Sequence, residues 1–290
     1  MRLSLLVLLL ASLTFSSCSF LSDTGKSLAF WNHKKNASFS KIMKSKDNDY
    51  KLRMAENYYV KKDYNHAQQL YEELFPIFKA STQFEDLYYK FAYCSFYLKD
   101  FTNAENLFKG FVEVFPNSQH AEEMEYMRAY TFYKQSPKAE LDQTNTTKTI
   151  GFMQAFINTH PGSARIKDAT DIIDKCRAKL ELKDYRSAQL YYDMSFYKAA
   201  SITFTTLLNS YPDSEKGDLY KLYVIKSDYQ FATLSIEEKK EDRFLQVITD
   251  CNDFIDRFPD SKLSKEVQIY LNTSQNTIKS LKNEPFKKTS

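Results

Sequence analysis

The chain has 290 residues, a formal net charge of +3 and an aromatic content of 16%. Its 40 basic and 37 acidic side chains nearly balance, so there is no electrostatic case for nucleic-acid binding. Five glycines and seven prolines are few for this length, which argues against turn-rich sandwiches and barrels and favours a helical protein.

The first element in the chain is an N-terminal export signal. Arg2 precedes an almost unbroken apolar run over residues 3–13, far shorter than the ~20 residues of a membrane-spanning helix. The small pair Ser16-Ser17 then precedes Cys18, as in a lipobox. We therefore predict a lipoprotein signal peptide over residues 1–17 and covalent acyl chains on Cys18, which anchor the protein without a spanning segment. An ordinary signal peptide followed by a chance cysteine is the alternative.

The next segment is predicted to be a tether. Residues 19–46 show no clear period and are rich in Ser, Lys and Asn, so we assign 18–46 to the lipidated cysteine and a flexible tether. The remaining cysteines, Cys94, Cys176 and Cys251, lie far apart inside helical patterns without C-x-x-C spacing. We expect these three cysteines to be small core residues, although a disulfide between two of them in an oxidising periplasm stays an alternative.

The rest of the chain repeats itself. Small residues and proline recur at twelve-residue spacing, first in Ala92, Ala104 and Pro116 and again in Ala188, Ala200 and Pro212. Each second alanine has one aromatic residue three positions before it and another four positions after it. Alanine lets two helices approach, the aromatic rings fill the space beside it, and proline ends the second helix. The pattern resembles the tetratricopeptide repeat, a helix–turn–helix unit of ~34 residues.

Two further copies are stretched. Residues 129–161 and 227–259 each span 32 positions, against 24 in the regular copies. We expect the eight additional residues between the two helices, in the polar stretch 136–147 and the charged stretch 235–242. Pro76 comes too early to end the first repeat, so we expect it to kink a longer second helix.

The repeat ends share a second pattern, an aromatic ring followed by Pro-x-Ser. It occurs at Phe115-Pro116-Asn117-Ser118, His160-Pro161-Gly162-Ser163, Tyr211-Pro212-Asp213-Ser214 and Phe258-Pro259-Asp260-Ser261. Proline ends one helix, and serine is suited to N-cap the next. A last helix over residues 263–281 carries apolar residues on one side, as a terminal cap requires. The prediction is an all-α fold: a tetratricopeptide-repeat solenoid of about five helix pairs plus a C-terminal capping helix over residues 47–284, with a disordered tail at 285–290.

Short motifs add a family resemblance. They are Tyr126-Met127-Arg128-Ala129 opening the third repeat, Asp142-Gln143-Thr144 in its insertion, and Leu180-Glu181 leading into the Tyr191-Tyr192 helix. With the lipobox and five repeats, their order and spacing resemble the BamD family of outer-membrane β-barrel assembly lipoproteins. The charged stretch in the fifth repeat and the long aromatic helices depart from that family and leave accessory subunits undefined.

The resemblance implies a lipid-anchored scaffold on the periplasmic face of the outer membrane. Its N-terminal repeats are expected to receive the C-terminal segments of unfolded outer-membrane proteins. Its C-terminal half is expected to dock the barrel-forming assembly subunit. No cofactor is expected apart from the covalent lipid on Cys18. A repeat lipoprotein that binds glycan or cell-wall synthesis partners is the alternative, although the only tryptophan, Trp31, lies in the tether.

The first helix of each repeat lines the concave face in this repeat type. The inward positions are Glu56, Tyr59, Tyr89, Tyr93, Phe96, Tyr97, Tyr126, Tyr130, Tyr133, Tyr185, Gln189 and Tyr192. Their helical spacing places them on one stripe per helix. Tyrosine rings supply apolar area and their hydroxyls hydrogen-bond backbone groups, which suits an extended peptide. We expect Tyr59, Tyr89, Tyr93, Tyr126 and Tyr130 to contact a client peptide; packing between repeats is the alternative.

Arg128 is a further candidate for client binding. Its guanidinium group is suited to hold a partner carboxylate, and an ion pair inside the array is the alternative. The four histidines are scattered, and no nucleophile, phosphate-loop or metal-ligand motif occurs. We therefore expect no catalytic residue and no metal.

Overall fold

The computed structural model describes residues 38–283, in which eleven helices of 13 residues or more follow one another and no strand occurs. The helices are α1 (Asn48–Val60), α2 (Tyr64–Phe78), α3 (Phe84–Tyr97), α4 (Phe101–Val114), α5 (Ala121–Gln135), α6 (Thr144–Thr159), α7 (Ile166–Asp193), α8 (Tyr197–Ser210), α9 (Gly217–Thr233), α10 (Glu237–Arg257) and α11 (Ser264–Asn283). The predicted signal peptide, Cys18 and the tail at 285–290 lie outside the described residues. No helix within 38–283 has the length and apolar character needed to cross a bilayer.

The helices form two compact units, unit 1 (residues 38–134) and unit 2 (residues 135–283). In unit 1, α1 packs on α2, α2 on α3 and α3 on α4. In unit 2, each helix from α6 to α11 likewise packs on the next one along the chain. Consecutive packed helix pairs are the arrangement of tetratricopeptide repeats, so the predicted all-α fold is confirmed.

The small residues of the sequence repeat lie in the core of the packed helix pairs. Ala55, Ala67, Ala92, Ala104, Ala188 and Ala200 are all fully buried. The aromatic residue four positions after the second alanine is also fully buried in each regular copy, at Tyr71, Phe108 and Phe204. Each such ring contributes roughly 1.5–3 kcal/mol when removed from water, and a methyl side chain beside it lets the helices approach closely enough to enclose it. Cys94, Cys176 and Cys251 are buried free thiols, as predicted for core residues.

Three turns between the two helices of a repeat have the same backbone geometry. One residue with a side chain has a positive φ in each, namely Lys62 at 60°, Lys99 at 63° and Ser195 at 63°. The N–H of the residue that follows it donates a hydrogen bond to the carbonyl five positions earlier, as Asp63 does to Tyr58 at 2.9 Å. This is a Schellman motif, in which glycine is the usual left-handed residue. The turn therefore stores strain in every repeat that uses it.

The serines of the Pro-x-Ser endings do not cap helices directly, so that expectation is wrong. Each lies three residues before the next helix, and its Oγ accepts the N–H two positions on, at 3.0–3.2 Å. Three of these hydroxyls also donate to an acid on the first helix of the repeat that they close: Ser118 to Glu85 at 2.5 Å, Ser214 to Glu181 at 2.5 Å and Ser261 to Asp218 at 2.6 Å. The serine thus ties the end of a repeat to its own first helix.

The two stretched repeats differ from each other. In the third repeat the additional residues form the connection 136–143 between α5 and α6, as expected. In the fifth repeat the connection is only residues 234–236, and the charged stretch belongs to α10, which has 21 residues. The insertion expected between those helices is therefore wrong: lysines and acids with good helix propensity lengthen the helix. Pro76 lies inside α2, which ends two residues later at Phe78.

The N-terminal end of the array differs from expectation, and the C-terminal end agrees with it. Residues 38–43 are helical, so the helical fold begins nine residues before the predicted boundary at residue 47. Phe39 and Ile42 of this segment are buried, and the Phe39 ring lies 4.2 Å from the ring of His66. At the other end α11 buries Val267, Ser274 and Ile278 against α9 and α10, as predicted for a capping helix.

We predict that Ser195→Gly stabilises unit 2 by about 0.5–1 kcal/mol, because glycine adopts the left-handed conformation without a Cβ clash. The measurement is the free energy of unfolding from urea titration of the purified protein. Ser187→Gly is the matched control, since Ser187 is exposed inside α7 and the same substitution there costs about 0.5 kcal/mol. Destabilisation by both substitutions would contradict the strained-turn account.

Candidate functional site

The predicted tyrosines of unit 1 form a continuous row of rings, which we call the aromatic stripe. Successive ring centroids lie 5.8 Å apart for Tyr59 and Tyr64, 4.5 Å for Tyr64 and Tyr97, 5.7 Å for Tyr97 and Tyr93, and 4.9 Å for Tyr93 and Tyr89. On α5, Tyr126 stacks on Tyr130 at 5.9 Å, and Tyr130 meets Phe96 of α3 at 6.0 Å. The stripe therefore runs from α1 across α3 to α5.

Charged groups from neighbouring repeats hold the stripe in register. Glu123 of α5 accepts hydrogen bonds from the hydroxyls of Tyr93 at 2.6 Å and Tyr89 at 3.3 Å. Burial, and then the hydrogen bond to the Glu123 carboxylate, raise the pKa of Tyr93 well above its usual range. Lys90 of α3 reaches Glu56 of α1 at 3.2 Å. These contacts fix the hydroxyls as donors and keep the rings neutral over the whole physiological pH range.

The exposure of the predicted tyrosines separates them into two groups. Tyr93 and Tyr126 are only 6% and 5% exposed, so their rings lie within the packing of unit 1. Tyr59, Tyr89 and Tyr130 are half-buried and present part of each ring to solvent. Only the second group offers a surface to a ligand without rearrangement; the first group supports it from below.

Arg128 has a partner within its own unit. Its Nε donates to Oε1 of Glu105 in α4 at 2.8 Å. This is the ion pair that the sequence left open as the alternative to carboxylate binding. Because this hydrogen bond occupies one edge of the guanidinium group, the structural role of Arg128 is to link α5 to α4.

Sequence reasoning missed several residues of this surface. Inward positions of first helices do not include Tyr64, which begins the second helix of its pair. They also do not include His120, which precedes α5; the His120 ring lies 4.5 Å from the ring of Tyr89. Glu123 carries a usable signal, because it follows Tyr89 by 34 residues, one helical turn short of the 37 residues that separate Ala92 from Ala129 in successive repeats. The same spacing relates Glu56 to Lys90.

In unit 2 the equivalent inward positions serve packing. Tyr185 lies 5.8 Å from Tyr220 and 6.1 Å from Phe204 in the core beneath α8 and α9. Tyr192 packs edge-on against Tyr223 at 5.6 Å. The packing interpretation therefore holds for these tyrosines.

Unit 2 carries a different surface at the turns α7–α8 and α9–α10, which we call the apolar tip. Its exposed apolar side chains are Leu190, Tyr191, Met194, Phe196, Leu234 and Ile236. A cavity of about 460 Å³ opens between the two turns, lined by Phe196, Tyr197, Phe231 and Leu234 among others. Leu234 is 72% exposed, so this apolar area remains in contact with water in the isolated chain. An exposed cluster of this kind marks an interaction site.

A second cavity of about 320 Å³ lies beside the first and reaches the buried carboxyl of Asp228. Burial raises the pKa of Asp228 to about 6, opposed by the hydrogen bond from Ser201 at 2.8 Å. Asp250 of α10 raises it further, while Lys198 and Lys221 lower it. Within residues 38–283 no group of three His, Cys, Asp or Glu side chains is placed to hold a metal ion.

Packed helix pairs with aromatic and apolar surfaces define a helical-repeat protein of the tetratricopeptide class, a fold for protein interaction. Residues 45–243 match the family model described as "YfiO: Outer membrane lipoprotein". The match covers more than half of the chain, and the chain belongs to the YfiO family of outer membrane lipoproteins. This membership is consistent with the BamD resemblance of the sequence.

Solved structures give weaker likenesses. The TPR2AB domain–pHSP90 complex of yeast Sti1 is 14% identical, with 80% of this chain and 84% of that chain covered and a TM-score of 0.37. The yeast histone chaperone Hif1, a scaffold recruiting protein complexes to core histones, is 12% identical, with coverages of 85% and 98% and a TM-score of 0.27. No match was found among curated proteins.

We predict that unit 2 gains stability on acidification through Asp228. Its folded-state pKa lies above the unfolded value of about 3.9, so the native chain binds a proton between pH 6 and pH 4 that the unfolded chain does not hold. The free energy of unfolding of the wild type, relative to Asp228→Asn, should therefore rise by on the order of 2 kcal/mol from pH 7.5 to pH 4.

Urea titrations at several pH values measure this difference. The Asp228→Asn variant keeps an oxygen that accepts the hydrogen bond from Ser201 but has no carboxyl group to titrate at that position. Asp213→Asn, at an exposed position of the same unit, is the matched control. A wild-type-minus-variant difference that is flat over this range would contradict the assignment.

Proposed function

We propose that the protein is a BamD-type scaffold of outer-membrane β-barrel assembly, lipid-anchored through Cys18 on the periplasmic face of the outer membrane. Unit 1 binds the C-terminal segments of unfolded outer-membrane proteins. Unit 2 docks the barrel-forming assembly subunit. No catalytic step is assigned to the chain. Membership of an outer membrane lipoprotein family supports the location, and the two surfaces support the two partners.

The observation that carries the client proposal is the aromatic stripe. Tyr59, Tyr89 and Tyr130 offer half-buried rings at intervals along three successive first helices. Rings held in this way lose little conformational entropy on binding, and they bury a large apolar area against an extended segment with aromatic side chains. Tyr93 and Tyr126 act as the packed layer beneath, because their rings are almost fully buried.

Hydrogen bonding supports the same orientation. The Tyr89 hydroxyl already donates to Glu123, so the ring face of Tyr89 and not its oxygen is offered to the client. The Tyr93 hydroxyl donates to the same carboxylate from the packed layer. Arg128 is paired with Glu105, and we assign it a positioning role for α5. Client binding is therefore proposed to be mainly apolar and only weakly dependent on salt.

The apolar tip supports docking of the assembly subunit on unit 2. Phe196 and Leu234 line one cavity, and both of them, together with nearby Ile236, expose more than half of their surface. Such an anchor pocket is typical of the buried centre of a protein interface, where a few apolar side chains carry most of the binding energy. The two partners thus use surfaces of different chemistry.

One experiment tests both assignments. The full-length lipoprotein in mild detergent is titrated with a labelled peptide from the C-terminus of an outer-membrane barrel protein and, separately, with the purified barrel-forming subunit. Tyr59→Ala with Tyr89→Ala should weaken peptide binding roughly 30-fold, since each ring contributes about 1 kcal/mol, and should leave subunit binding unchanged. Leu234→Asp should weaken binding of the barrel-forming subunit and leave peptide binding unchanged.

Two exposed positions of unit 2 provide the matched controls. Tyr191→Ala removes a tyrosine outside the stripe, and Ile269→Asp places the same charge on α11, where Ile269 is 65% exposed. Neither should weaken the peptide complex, and Ile269→Asp should not weaken the subunit complex. Loss of peptide binding in Leu234→Asp but not in the double tyrosine variant would reject the proposed division of labour.

A further inference from the structure

Two turns of unit 1, α1–α2 and α3–α4, lie side by side and form what we call the basic tip. Tyr64 directly follows the first turn and Tyr97 directly precedes the second, and their rings stack at 4.5 Å. The tip consists of Val60, Lys61 and Lys62 from the first turn and Tyr97, Leu98 and Lys99 from the second, all exposed to solvent.

Apolar and basic groups are mixed on this tip. Val60 is 78% exposed and Leu98 38% exposed, next to three exposed lysines. The neighbouring acids take part in the helix starts: Asp63 bonds Nδ1 of His66 at 2.9 Å, and Asp100 accepts the N–H of Asn103 at 3.2 Å. Three lysines face two carboxylates, so the surface keeps a net positive charge around its aliphatic and aromatic side chains.

The backbone fixes this arrangement. Lys62 and Lys99 are the left-handed residues of two Schellman motifs, so each lies at the apex of its turn. The apolar tip of unit 2 has the same motif at Ser195, yet its turns at residues 194–196 and 234–236 contain no lysine. The two tips thus share the Schellman motif, and they differ in whether their turns carry lysine.

The N-terminal segment reaches unit 1 beside the same turn. Phe39, in the helical segment 38–43, lies 5.7 Å from the ring of Tyr58 and 4.2 Å from that of His66. Tyr58 and His66 flank the α1–α2 turn by two or three residues on either side. The chain that leads back to Cys18 therefore enters the described structure next to the basic tip.

We propose that the basic tip rests on a bilayer surface containing anionic phospholipid. Lysine ammonium groups bind lipid phosphates, tyrosine rings lie at the level of the headgroups, and Val60 and Leu98 dip into the boundary with the acyl chains. The contact is a second, electrostatic attachment beside the lipid anchor, and a single attachment holds a protein on a membrane less firmly than two. It orients unit 1 with the α1–α2 and α3–α4 turns toward the membrane.

The test uses the lipidated full-length protein reconstituted in vesicles. Spin labels are attached at Val60→Cys, at Leu98→Cys and, as a control, at Val114→Cys, which is 52% exposed at the opposite end of α4. The native cysteines Cys94, Cys176 and Cys251 are buried and do not compete for the label. Accessibility of each label to oxygen and to a water-soluble nickel complex reports its depth in the bilayer. Mass spectrometry of the N-terminal peptide verifies that Cys18 is lipidated. A missing lipid anchor is thereby distinguished from a basic tip that does not contact the bilayer.

In vesicles of phosphatidylethanolamine with phosphatidylglycerol, labels at 60 and 98 should gain oxygen accessibility and lose nickel accessibility, while the label at 114 stays accessible as in water. Replacing Lys61, Lys62 and Lys99 by glutamate should abolish the change with the anchor intact, and replacement by glutamine should weaken it. Equal accessibilities at positions 60, 98 and 114 would overturn the proposal. So would a change independent of phosphatidylglycerol, or protection that appears only when the barrel-forming subunit is added.

Discussion

The close approach of two helices at a pair of buried alanines is the contact on which this protein depends. Ala92 and Ala104 of the second repeat, and Ala188 and Ala200 of the fourth, are fully buried in helices that pack on each other, and a methyl side chain lets two backbones approach closely. Phe108 and Phe204, four residues after the second alanine of each pair, are fully buried as well. A larger residue at the crossing would force the pair apart and expose the ring, with a cost of about 1–3 kcal/mol for overpacking alone.

Once the pair is fixed, longer-range contacts form between neighbouring repeats. Equivalent residues of the first three repeats are 37 positions apart, as Ala55, Ala92 and Ala129 are, so a separation of 34 places two residues one helical turn off equivalence. Lys90 meets Glu56 and Tyr89 meets Glu123 at that separation. The serine that ends a repeat bonds an acid 33 positions earlier, as Ser118 does with Glu85. These polar contacts are individually modest, yet they set the register in which Phe96 of α3 meets Tyr130 of α5.

The helix pairs were predictable from the sequence because small residues, rings and prolines recur with a fixed period that packing demands. The site was predictable only in part. Helical spacing identifies which residues share a face, and Tyr59, Tyr89 and Tyr130 are half-buried members of the aromatic stripe, whose contact with a client stays a prediction. It does not report depth: the Tyr93 ring is buried against Phe108 of α4, and its hydroxyl bonds Glu123 of α5, contacts that no local pattern encodes. The charged stretch 235–242 was misjudged for a related reason: polarity suggests a loop, but lysine and glutamate also extend an exposed helix.

The protein thus combines one fold with surfaces of different chemistry, an aromatic stripe in unit 1 and an apolar tip in unit 2. Hydrogen–deuterium exchange on the lipidated chain, with and without a client C-terminal peptide, tests this account most directly. The account predicts slowed exchange in α1, α3 and α5 and unchanged exchange in α8, α9 and α10 when the peptide binds. Slowed exchange confined to unit 2, or none at saturating peptide, would contradict it.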